Sequence, residues 1–187
     1  MVVGQGGHGE GGKVIGAGPR LAQQRVSLGP PVGVWKDRRV TELRDIFTGS
    51  WRGVLVTLKR DGRPQLSNVG HVYDPETDAV VISTRADRAK VRNLRRDPRA
   101  SYYVTTEGLA AYAVGEGLAE VGQVAAAPDD AAVEGLVDHY RAVRGEHPDW
   151  AEFRAAMVAE RRLLVTVRFS RVYGWAGPVA SSRTPSA

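Results

Sequence analysis

"GVLVTLKRDGRPQLSNVGHVYDPETDAVVIST" runs from Gly53 to Thr84, and the rest of the domain is built around it. Gly53–Lys59 alternates along its length and is rich in β-branched residues, the pattern of a half-buried strand. Asp61-Gly62 follows, a pair that tolerates the positive φ of a tight hairpin turn, and Arg63–Tyr73 reads as the returning strand. "DPETD" (Asp74–Asp78) is turn chemistry and "AVVIST" (Ala79–Thr84) a third strand. Strands joined by turns this short favour antiparallel pairing.

The same grammar continues on both sides. "VTELRDIF" (Val40–Phe47) places Val40, Leu43 and Phe47 at helical spacing, which predicts a short amphipathic helix before the first strand. "ASYYVTT" (Ala100–Thr106) and "AAYAVGEGLAEV" (Ala110–Val121) are strands separated by Glu107-Gly108, and Gly115 and Gly117 in the second predict a bulge or a close backbone approach. "APDDAAVEGLVDHYRAVRG" (Ala127–Gly145) starts with Pro and two acids and ends in Arg-Gly, the polarity of a capped helix. "PDWAEFRAAMVAERR" (Pro148–Arg162) is a second helix and "LLVTVRFSRVYGW" (Leu163–Trp175) a last strand. The expectation is a mainly β, α+β domain: a six-stranded antiparallel sheet that avoids bare edges by curling into a barrel, with flanking helices.

The chain has 187 residues with 42% hydrophobic content, enough for one domain with a real core. Residues 1–40 are rich in glycine and read as a disordered extension, residues 41–176 as the folded domain and residues 177–187 as a tail. Within the extension, Gly7, Gly12 and Lys13 mimic a phosphate loop, but Val14 stands where a hydroxyl would meet magnesium and no strand precedes it. No stretch approaches the about 18 apolar residues of a membrane span, and the first residues lack the apolar segment of a secretory signal, so a cytoplasmic location is expected. Cysteine is absent, which excludes disulfides, thiolate metal sites and a thiol nucleophile. The four histidines (His8, His71, His139, His147) show no ligand spacing, so no metal site is expected. The serines and aspartates show no nucleophile-elbow motif, so a cofactor is the expected carrier of any chemistry.

The net charge is +5, but six basic against two acidic residues in 1–40 account for most of it, leaving the domain near neutrality. Nonspecific nucleic-acid affinity comes from neutralising many phosphates at once, so nucleic acid is not an expected partner of this domain. "RADRAKVRNLRRDPRAS" (Arg85–Ser101) is a local concentration of charge on it. If the helix spans about Asp87–Arg96, Val91 and Leu94 form its buried seam, with Lys90 and Asn93 at the edge of the packed face and Arg88, Arg92 and Arg96 facing solvent. Arg95 and Arg96 fall in the last turn, where the helix dipole favours cations. Arg88 and Lys90 fall in the first turn, where each cation costs about 0.3–1 kcal/mol unless an anion joins it. They read either as solvated surface or as an anion site. In the strand "RPQLSNV", Gln65, Ser67 and Asn68 crowd polar groups beside Leu66 and Val69. They read either as an exposed edge or as donors and acceptors for a flavin-type heterocycle.

"DGRPQLSNV", "RAKVRNLRRDPRAS", "AAPDD", "GEHPDW" and "SRVYG", in this order between Phe47 and Gly174, resemble the pyridoxamine-phosphate-oxidase-like split β-barrel superfamily, and most of all its actinobacterial branch that binds coenzyme F-420. The resemblance implies a six-stranded antiparallel split barrel of the FMN-binding Greek-key type. It also implies a homodimer with a cofactor at each subunit interface. The phosphate of the deazaflavin would lie near Arg88 and Lys90, with Asn93 close by. Gln65, Ser67, Asn68 and Val69 would follow the ring and ribityl chain, Ser83 and Thr84 would add contacts, and Arg171 and Tyr173 would approach a site from the partner subunit. The implied activity is that of an F-420-dependent oxidoreductase, transferring a hydride between C5 of the deazaflavin and a small organic substrate. FMN is the alternative cofactor, and the alternative roles are a non-catalytic cofactor-binding protein or a nucleic-acid binder acting through the arginine-rich helix.

Overall fold

The computed structural model describes residues 36–177. The glycine-rich segment with Gly7, Gly12 and Lys13 and the tail from residue 178 lie outside the described residues. The first helix, α1 (Lys36–Thr48), begins before the expected Val40, so residues 36–40 belong to a helix rather than to the extension. Then come β1 (Arg52–Leu58), β2 (Pro64–Gly70), β3 (Val72–Asp74), β4 (Ala79–Arg85), α2 (Ala89–Arg96), β5 (Arg99–Thr105), β6 (Tyr112–Val121), α3 (Ala131–Arg144), α4 (Trp150–Ala159) and β7 (Arg162–Trp175).

All strand pairs are antiparallel, in one seven-stranded sheet of order β2-β1-β5-β6-β7-β4-β3. Its two edge strands are consecutive in the chain and separated by His71 alone, so the sheet curls until its edges meet there. This is the split barrel. The expected strand Arg63–Tyr73 is therefore two strands, because the chain changes partner: Gly70 pairs with Arg52 of β1, and Val72 pairs with Val81 of β4. His71 pins the switch. Its ring is buried, its Nε2 lies 3.1 Å from the Phe47 carbonyl and its Nδ1 lies 2.8 Å from Tyr102 Oη. A carbonyl only accepts, so Nε2 carries the proton and Nδ1 accepts from the tyrosine.

Inward residues of the strands (Leu55, Val80, Ile82, Tyr102, Val165 and Val167) fill the barrel, while Phe47 of α1 and Val91 and Leu94 of α2 pack into the same core. A second core lies outside it, where Val133, Leu136 and Val137 of α3 and Phe153 and Met157 of α4 pack with Leu164 of β7. Both helices are capped as their sequences predict: Asp130 accepts from Val133 N and Asp149 from Glu152 N. The predicted bulge lies between Glu116 and Gly117, opposite the extra residue Ser170 of β7. A Cβ on Gly117 would stand 1.8 Å from the Arg168 carbonyl oxygen, so the close approach requires glycine.

Candidate functional site

The two charge classes of the basic run separate in the structure. Arg88 is the N-cap of α2, with extended backbone and no side-chain capping bond, so the first-turn N–H groups have no side-chain acceptor at the cap and no acid beside them. Lys90 sits half-buried in that turn with no acidic partner among the described residues. Burial, and then repulsion from Arg88, hold its ammonium pKa below the ordinary lysine value. The Nε of Arg85, at the end of β4, is the one buried side-chain polar atom without a partner among the described residues. Among the described residues Arg88 pairs only with Asp87, at 3.8 Å, and that carboxylate is also held by Arg85 Nη2 at 3.1 Å. By contrast, Arg92 donates to the Asp87 carbonyl, and Arg96 to the Leu58 carbonyl and to Asn93 Oδ1. The arginine stripe toward solvent is thus partly consumed by the fold, while the start of α2 keeps donors for an anion.

Asn93 lies deeper than the edge position expected for it. It is 7% exposed, and its Nδ2 donates to Thr57 Oγ1 at 3.0 Å and to Gln65 Oε1 at 3.2 Å. Gln65 Nε2 donates in turn to Ser67 Oγ at 2.8 Å. The strand amide and the helix amide therefore brace α2 against β2, leaving the Ser67 hydroxyl hydrogen free to point elsewhere. Thr57 is a site residue that the sequence reading passes over. Its signal was a hydroxyl at an inward position of an otherwise apolar strand face, and it is 1% exposed.

The strand period then divides the predicted cluster. Gln65, Ser67 and Val69 share the inner face with Thr57, Leu55 and Gly53, their register partners. Asn68 points outward beside Val54, and Leu66, read as apolar and adjacent, is exposed on that same outer face. Arg171 and Tyr173 also stand outward. Successive registers set Asn68, Val54, Tyr103, Val114 and Tyr173 in one row across the sheet. Tyr173 Oη donates to Glu116 Oε1 at 3.2 Å, and the Arg171 guanidinium lies 5.3 Å from the Tyr173 ring centroid. Within one chain three strands, β1, β5 and β6, lie between these two residues and β2.

Beyond His71, β2 and β4 diverge. Extending the β3–β4 register would set Gly70 opposite Ser83 and Val69 opposite Thr84, but β2 turns to β1 instead. Ile82–Arg85 thus have no strand partner on that side, and β2 has none on its outer edge. Backbone donors and acceptors of two strands are thus left without a ladder partner where β4 runs on toward the start of α2. Thr84 faces the barrel interior and is buried. Ser83 faces out, accepts from Arg162 Nη1 at 3.1 Å, and walls a pocket of about 420 Å³ together with Gly70. A broader cleft of about 1240 Å³ meets this pocket at Trp51 and Gly70 and is lined by Asn68 and Val69. Arg85, Arg88, Lys90 and the free helix start suit a phosphate, and the adjoining polar strand edges suit a hydrogen-bonding ring, so the donor set fits a phosphate-bearing heterocyclic cofactor. Among the described residues no cluster of metal-ligating side chains occurs.

Known structures share this architecture. The conserved hypothetical protein Rv2991 from Mycobacterium tuberculosis superposes with a TM-score of 0.56 at 23% identity, over 79% of this chain and 93% of that one. A protein described as an F420 reductase gives 0.51 at 21%, over 70% and 94%. A heme-binding protein from Mycobacterium smegmatis gives 0.54 at 25%, over 73% of this chain and 53% of its own length. Residues 40–176 match the family model described as pyridoxamine 5'-phosphate oxidase, a span that takes in every strand and both cores. On that match the chain belongs to the pyridoxamine 5'-phosphate oxidase family of split barrels.

Proposed function

We propose that the chain is an oxidoreductase that uses coenzyme F-420, bound where β2 and β4 part. The observation that carries the reading is the cation-rich start of α2, where Arg88, half-buried Lys90 and the unpartnered Arg85 Nε face the single acid Asp87, next to two unpaired strand edges. The likeness to an F420 reductase of the same fold supports it. When bound, coenzyme F-420 supplies hydride chemistry toward a small organic substrate. Arg88 and Lys90 would hold the phosphate, with Asn93 fixing α2 through Gln65 and Thr57. Ser67, Val69, Ser83 and the strand edges would orient the ring. Asn68, Arg171 and Tyr173, on the outer face, would serve a site completed by a second copy of the chain.

The same phosphate site suits FMN, so direct titration is the test. Purified full-length protein is titrated with oxidised and reduced F-420, FMN and hemin, following absorbance and fluorescence. The expected result is saturable F-420 binding, stronger than that of FMN. Tight FMN binding without F-420 binding would assign the site to a flavin. A hemin complex alone would assign the chain to the carrier role.

A further inference from the structure

The pocket shared by Gly70 and Ser83 extends away from the strand opening, beneath α3 and α4, and its lining is not that of a cofactor phosphate site. Leu136, Val143, Phe153 and Met157 give it an apolar floor. Four polar side chains, Arg162, Arg144, Tyr140 and His139, stand among them. Arg162 is already engaged, donating to Ser83 Oγ at 3.1 Å and to Glu160 Oε2 at 2.8 Å. Arg144 is not: its only described neighbour of note is the Trp51 ring, 5.9 Å from centroid to guanidinium. Its companion in the last turn of α3, Arg141, is answered by Asp138 and Glu146. The helix dipole explains a cation at this helix end but not why one of the pair lacks an acid. Tyr140 turns its ring into the aromatic group of His147, Trp150 and Phe153, and its hydroxyl has no hydrogen-bond partner among the described residues. His139 donates Nε2–H to the Val81 carbonyl at 3.1 Å, leaving Nδ1 as an acceptor. Burial lowers its pKa, against the bond to Val81 and with the nearby Arg162 charge, which favours the neutral ring.

We infer that this pocket binds a small organic carboxylate with an apolar or aromatic body, its anionic group held by Arg144 with the Tyr140 hydroxyl and its body on the Leu136–Met157 floor. An unpaired guanidinium above an apolar floor favours this amphipathic anion over an uncharged hydrocarbon or a polyanion. The volume of about 420 Å³ suits a single-ring ligand. The inference deepens the proposed function by naming the substrate class, since Gly70 and Ser83 join this pocket to the cofactor opening.

The probes are benzoate, cyclohexanecarboxylate and benzamide, added to full-length protein and followed by NMR titration, with F-420 binding measured on the same samples. Both acids are expected to bind, and benzamide about tenfold more weakly or worse, because it lacks the charge that Arg144 answers. Arg144→Gln should weaken the acids by about tenfold and leave benzamide unchanged. Arg144 is exposed, so the variant is expected to fold, and Arg95→Gln serves as the surface-charge control. F-420 affinity should not change in Arg144→Gln. Equal binding of acid and amide, no binding of either acid, or acid binding indifferent to Arg144 would each overturn the inference. Arg144-dependent acid binding without any F-420 binding would keep the pocket and remove the cofactor reading. Intact F-420 binding without acid binding would do the reverse.

Discussion

Lys90 lies half-buried beside Arg88, with no acid among the described residues to answer it. Burial and the neighbouring cation lower its pKa, and an arriving phosphate reverses that shift by favouring the ammonium form. The sign follows. Lys90 contributes fully to phosphate binding below its free-state pKa, and the contribution fades as pH rises through that value toward the higher pKa of the bound state. Cofactor affinity measured from about pH 7 upward should therefore fall in the alkaline range, and Lys90→Met should remove the fall as well as weakening binding about tenfold at neutral pH. Arg88→Gln should weaken binding comparably but keep the alkaline fall, since arginine does not titrate there. Arg95→Ala, at the exposed end of α2, should change neither. Equal losses across all three positions would dissolve the distinction between the two ends of the helix.

At the scale of elements, the sheet is governed by the change of partner at His71, which no local pattern announces. The turn pairs, the alternation in β1, the seam of Val91 and Leu94 and the bulge glycine are all local signals, and all were legible in the sequence. The break between β2 and β3 depends on how far β1 and β4 each extend, which is a long-range matter of register. Asn93 was expected at an edge and is buried because Thr57 and Gln65, distant in sequence, satisfy its amide. Trp51, Ser83 and Arg144 meet in one pocket from three separate segments, so no spacing could have joined them. His71 makes the partner change testable. Burial lowers its pKa, as it does for His139, so the folded state disfavours both protonated rings. Stability is full above the unfolded-state value of about 6.5 and is lost as pH falls toward the folded-state values, by at most about 1.4 kcal/mol per pH unit for each histidine. In urea unfolding, His71→Leu should flatten this slope while costing about 1–3 kcal/mol at neutral pH, because the Phe47 carbonyl and the Tyr102 hydroxyl lose their partner. A glycine pair gives a second test. Gly62 has positive φ but open space around it, so Gly62→Ala should cost about 1–2 kcal/mol, whereas Gly117→Ala meets backbone and should cost clearly more in the same assay.

For the whole molecule, the decisive surface is the outer face of β2, β1, β5, β6 and β7. Leu66 and Leu118 are 62% and 60% exposed, Trp175 is 48% exposed, and the rows between them carry Val54, Val56, Tyr103, Tyr112 and Tyr173. Exposed apolar and aromatic side chains interspersed with charged ones on one sheet face are the kind of surface that suits association. The face is also where Asn68, Arg171 and Tyr173 stand, so pairing two copies across it would bring those residues to sites they cannot reach within their own chain. The expectation is a homodimer that couples assembly to cofactor binding. Leu118→Glu tests it without threatening the fold, since Leu118 is exposed and its register partner Arg168 would receive the new carboxylate, while Arg99 on the other side stays paired with Asp97. Sedimentation should show a dimer for the parent chain and a shift to monomer for Leu118→Glu, with unchanged circular dichroism. Cofactor affinity should fall in the same variant although Leu118 lies apart from Arg88 and Lys90, because the monomer lacks the second copy's Arg171 and Tyr173. A parent chain that sediments as a monomer, or a monomeric variant that binds cofactor as tightly as the parent, would confine the site to a single barrel and leave Arg171 and Tyr173 outside it.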